Sequence, residues 1–62
     1  MDAATSIHRE LMDMHRELIK SMRRSQERGD IHGYACDKYR AEGIQMALIA
    51  VQERMGALQE RA

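Results

Sequence analysis

The chain has 62 residues, with ten Lys and Arg against ten Asp and Glu, six methionines, two tyrosines, one cysteine and no proline, tryptophan or phenylalanine. At this length burial and ordering free energies nearly cancel, so the chain needs a disulfide, a metal or a second chain, and a lone Cys36 excludes an internal disulfide. The even charge balance argues against bulk polyanion binding, and the scarcity of aromatics beside abundant Ala, Leu, Glu, Arg and Gln reads as an all-α protein.

A duplicated heptad comes first. Ile7-His8-Arg9-Glu10-Leu11-Met12-Asp13 is followed at once by Met14-His15-Arg16-Glu17-Leu18-Ile19-Lys20. Ala4, Ile7, Leu11, Met14 and Leu18 recur at steps of three and four, which predicts one inward helix face with Arg9, Arg16 and Arg23 on the far side. Asp2, Thr5 and Ser6 are candidate caps, and Gly29 offers the left-handed residue that ends a helix, so helix 1 is expected over about residues 3 to 28.

Gly29-Asp30-Ile31-His32-Gly33 forms the break, expected as a turn over 29 to 33 with Asp30 as a candidate cap. So short a connection makes antiparallel neighbours. Beyond it Ala41, Ile44, Leu48, Val51, Met55 and Leu58 keep the three-four alternation, which predicts helix 2 over about 34 to 60 and a single helical-hairpin domain.

Helix 2 has a second apolar face. Tyr39, Met46 and Ile49, with Ala35, Ala50 and Ala57, cluster opposite the Ile44/Leu48/Val51 stripe. Helix 1 is also broader than a two-helix seam requires, since Met12 and Ile19 lie beside Leu11 and Leu18 with His8 and His15 between them. A lone hairpin leaves one of these surfaces wet. The expectation is therefore a homodimer forming a four-helix bundle, with Leu11, Met14, Leu18, Ile44, Leu48, Val51 and Met55 in the core and Gly43, Ala47 and Ala50 permitting close approach. In shape this resembles the small dimeric hairpin ROP, a likeness that carries no chemistry.

Candidate chemistry is sparse. His8 and His15 stand about 10.5 Å apart along one helix, too far to share a metal within one chain, and packing histidines are the plainer reading. His32 and Cys36 have the i, i+4 spacing of helical ligands with only Asp37 as an obvious third, so no metal site is expected and Cys36 reads as an inert thiol. Glu10 and Glu17 read as solvated surface, and Gln45, Gln52 and Gln59 repeat at the seam edge, where they either hydrogen-bond across it or keep it uncharged. No catalytic residue and no cofactor is expected.

The one charge concentration is Lys20, Arg23, Arg24 and Arg28, diluted by Glu27. Basic residues near a helix C-terminus follow from the macrodipole, and this cluster has no aromatic to stack a base. The longest continuous apolar run, Met46 to Val51, is far short of a membrane span and no signal-peptide core precedes it, so a cytoplasmic location is expected. The reading that follows is a non-enzymatic protein-binding module, a stoichiometric inhibitor or regulator of a larger protein of the kind common among virus and mobile-element products. Tyr39, Met46 and Ile49 are its expected partner-binding residues. The alternative is a dimeric RNA- or DNA-binding regulator acting through Lys20, Arg23, Arg24 and Arg28, which would lose affinity steeply with salt.

Overall fold

The computed structural model describes residues 2–61, with side chains described for residues 2–57. Two helices account for nearly all of it: α1 over Ala3–Glu27 and α2 over Ile31–Arg61, packed against each other as a hairpin. At 1.5 Å per residue the 25 and 31 residues give rods of about 37 and 46 Å. The Cα envelope of 49 × 18 × 11 Å is accordingly a flat slab two helices wide and one helix thick.

Each helix end is closed by local chemistry. Asp2 caps α1, its carboxylate accepting from the Thr5 N–H at 2.8 Å. At the other end Gly29, with φ of 70°, donates to the Gln26 carbonyl at 3.2 Å, and the Asp30 N–H reaches back to the Ser25 carbonyl at 2.8 Å. That pair of bonds is a Schellman closure, and the left-handed residue it needs is why a glycine stands at 29. Asp30 then caps α2 directly, its carboxylate accepting from the Gly33 N–H at 2.9 Å and its carbonyl from the Tyr34 N–H at 3.0 Å. The helix therefore starts at Ile31, three residues before the sequence expectation, because the glycine at 33 occupies the third helical position and does not break the chain. A Cβ at Gly33 would collide with the capping carboxylate of Asp30.

Ala4, His8, Leu11, His15, Leu18, Met22 and Ser25 form the inward row of α1, against Tyr34, Asp37, Ala41, Ile44, Leu48, Val51 and Met55 of α2. Ala41 and Leu48 are the buried apolar side chains among the described residues, while Leu11, Leu18, Ile44, Val51 and Met55 are half-buried. The stripe expected in α2 is thus the observed one, with Leu58 outside the described side chains. In α1 the expectation needs correcting. Ile7 and Met14 are exposed on the flank of the hairpin, and Met14 is no part of its core. The row starting Ala4-Ile7 and the row starting Ala4-His8 both alternate threes and fours, and hydrophobicity favours the first. The second row is the one that faces α2: it runs on through half-buried Met22, and its His8 meets Gln52 across the seam, while Ser21, on the row of Ile7 and Met14, reaches Asp37 from the flank.

Candidate interaction surface

At the closed end of the hairpin the two helices are joined by polar groups. Ser21 Oγ donates to Asp37 Oδ2 at 2.5 Å, and Arg40 on the next turn stands 3.9 Å from the other carboxylate oxygen. Asp37 is only 8% exposed, and Ser25 beside it is buried. No buried side-chain polar atom among the described residues lacks a partner, and this cluster closes the seam at the turn end. Sequence reasoning noticed Asp37 only as a poor third metal ligand and passed over Ser21 and Ser25. The available signal was that Ser25 and Asp37 fall on the seven-residue repeats of their own seams, where a polar residue demands a partner.

At the open end Gln52 Nε2 lies 3.2 Å from His8 Nε2. The amide donates when the imidazole proton is on Nδ1, which gives a half-buried histidine a partner on the opposite helix. Gln52 thus bonds across the seam, one of the two roles its spacing suggested; Gln45 is exposed and the Gln59 side chain lies outside the described residues. His15 lines an open groove on α1 with Met12, Arg16, Ile19, Lys20 and Arg23. His32 and Cys36 are both exposed, and among the described residues no three His, Cys, Asp or Glu side chains gather as a metal site.

The outer face of α2 leaves an apolar surface uncovered. Tyr39 and Met46 are each 73% exposed and Ile49 55%. Tyr39 and Met46 stand seven residues apart, two turns and about 10.5 Å along the axis, so they project in the same direction from the side remote from α1. All three expected partner-binding residues therefore lie on one surface, with Glu42 and Glu53 beside them. The face exists because α2 is apolar on two opposite sides and α1 covers one of them.

Lys20, Arg23, Arg24 and Arg28 are all exposed on the outward half of α1 near its C-terminus. Lys20 stands 3.3 Å from Glu17, and both side chains are well solvated. The four cations fan around the helix with Glu27 among them, and no aromatic side chain accompanies them.

Comparison with family models, with characterised proteins and with solved structures gives no match. Among the described residues no helix is long and apolar enough to cross a membrane.

Proposed function

We propose that this chain is a non-enzymatic protein-binding module, a hairpin that pairs with a second copy into a four-helix bundle and presents the outer face of α2 to a larger partner protein as an inhibitor or regulator. The observation that carries the reading is the exposure of Tyr39, Met46 and Ile49 on the side of α2 that α1 leaves uncovered. Side chains of this size in water cost free energy, and a tyrosine beside a methionine and an isoleucine has the composition of a binding anchor, a rigid ring with a hydroxyl free for a polar partner at the rim. Pairing is supported by surface area. The hairpin exposes 5103 Å², against about 4,100 Å² for a compact monomer of its mass.

The test is capture from a source proteome at low and at high salt, using the natural chain, Tyr39→Glu, Met46→Glu and a double Arg23→Glu/Arg24→Glu variant. The reading predicts a protein partner held at high salt, lost with either α2 substitution and kept by the double arginine variant. Salt-sensitive capture that fails with the arginine variant and survives Met46→Glu would instead favour the nucleic-acid reading through Lys20, Arg23, Arg24 and Arg28.

A further inference from the structure

We propose that the flank of the hairpin bearing Ile7 and Met14 is covered by a second copy of this chain, laid face to face with both turns at the same end, so that each α1 rests on the partner's α2. The inference rests on the reading that two copies associate; what it adds is the face and the direction.

Ile7 and Met14 are 47% and 52% exposed on one side of the seam, with Glu10 and Glu17 outside them on the same helix. Ser21 continues the Ile7/Met14 row at the next seven-residue step, and its bond to Asp37, beside Arg40, identifies which side of α2 borders the same face. That side of α2 carries Ala47 between Arg40 and Arg54, with Gly43 and Ala50 outside. Over Ile7 to Glu17, before Arg24 continues the row, α1 thus offers large apolar and acidic side chains, and over Arg40 to Arg54 α2 offers small and basic ones. The face is complementary to itself when α1 meets the partner's α2, and it opposes like to like when α1 meets α1.

Two-fold symmetry allows both pairings. An axis along the helices keeps the turns together and stacks α1 on the partner's α2; an axis across them puts the turns at opposite ends and stacks α1 on α1. In the second arrangement Glu10 and Glu17 confront their own copies, and so do Arg40 and Arg54, which costs free energy at a desolvated interface. In the first, the hairpin's own register carries over. The His8–Gln52 and Ser21–Asp37 bonds put Met14 level with Gln45, hence over the partner's Gly43 and Ala47, and put Glu17 within a turn of the partner's Arg40. A slab 49 Å by 18 Å offers about 900 Å² of face, close to the roughly 800 Å² per partner of a standard interface. The opposite flank is less suited, because a copy seated on Met12 and Ile19 would bury Lys38, Gln45 and Gln52.

The experiment combines a label distance with two charge insertions in the full chain. A spin label at Gln26→Cys in a Cys36→Ser background sits on the last turn of α1, away from the proposed interface. The same-end dimer predicts a label separation within about 25 Å, and the opposite-end dimer predicts more than about 35 Å. Met14→Glu should weaken dimerisation by about 30-fold or more, whereas Met12→Glu, on the other flank, should leave it within about threefold. Circular dichroism checks that each variant keeps its helicity, and if Met14→Glu does not, the label distance decides. A long label distance overturns the direction, and dissociation by Met12→Glu in place of Met14→Glu overturns the face. A single-chain mass for the unsubstituted protein at micromolar concentration overturns the two-copy reading beneath both.

Discussion

The Ser21 hydroxyl donates to the Asp37 carboxylate from one helix to the other, tying the two helices together near the turn. Because Asp37 is buried, Ser21→Ala leaves a carboxylate short of its donor, and a loss of about 1–3 kcal/mol is expected. In an Asp37→Ala background the same substitution should cost much less, since the group that needed the hydroxyl is gone. Urea unfolding of the four chains at one fixed protein concentration gives the coupling. Equal losses in both backgrounds would mean that the pair does not hold the helices in register.

Gly33 and Asp30 form a second coupled pair. A methyl at 33 collides with the capping carboxylate, so Gly33→Ala should displace the cap and cost about 1 kcal/mol less the helix propensity that alanine gains. In Asp30→Ala the collision with the carboxylate is absent and the Ser25 hydroxyl is the remaining close neighbour, so Gly33→Ala should be better tolerated there than in the natural chain. Thermal unfolding of both single variants and the double variant gives the difference, and an equal effect of Gly33→Ala in both backgrounds would mean that the cap and the glycine are not coupled.

The cap of α1 gives a pH dependence. The hydrogen bond from the Thr5 backbone holds the Asp2 carboxyl below its ordinary value of 3.8. A carboxyl whose folded pKa lies below its unfolded one contributes stability that is present above the unfolded value and is lost as pH falls through the folded one. Helicity of the first turn should therefore decline as acid is added below the usual carboxylate range. The decline is measured against Asp2→Asn, whose amide oxygen still caps but does not titrate; if both titrate identically through this range, Asp2 is not the group responsible.

Much of this architecture is legible in the sequence, because unbroken three-four alternation from Ala41 to Met55 has one reading and Gly29 stands where a helix needs a left-handed exit. The exposed trio of Tyr39, Met46 and Ile49 follows from the same arithmetic applied to the other side of α2. The rotation of α1 was not legible, since its heptads supply two rows of equal period. Choosing Ile7 and Met14 over His8 and His15 is correct by hydropathy and wrong by geometry, because His8 finds a polar partner in Gln52 on the other helix, a contact that hydropathy does not register. The early start of α2 escaped for a related reason: Gly33 looks like a breaker until Asp30 is seen to need the space.

Leu48 and Met46, two residues apart on α2, should behave oppositely. Leu48→Ala removes a buried side chain at the centre of the seam and is expected to cost about 2–5 kcal/mol, while Met46→Ala, on the outer face, should stay within about 0.5 kcal/mol. Denaturation midpoints read the contrast. A large loss at Met46 would mean that the outer face is buried in the associated protein.

The central claim is that the outer face of α2 stays free when two hairpins pair, and is therefore available to a partner. Light scattering on the unsubstituted chain and on Met46→Glu, side by side at equal concentration, tests it most directly. The account predicts the mass of two chains for both proteins with unchanged helicity. A two-chain mass that falls to one chain on Met46→Glu would contradict it, making Tyr39, Met46 and Ile49 the interface between the copies.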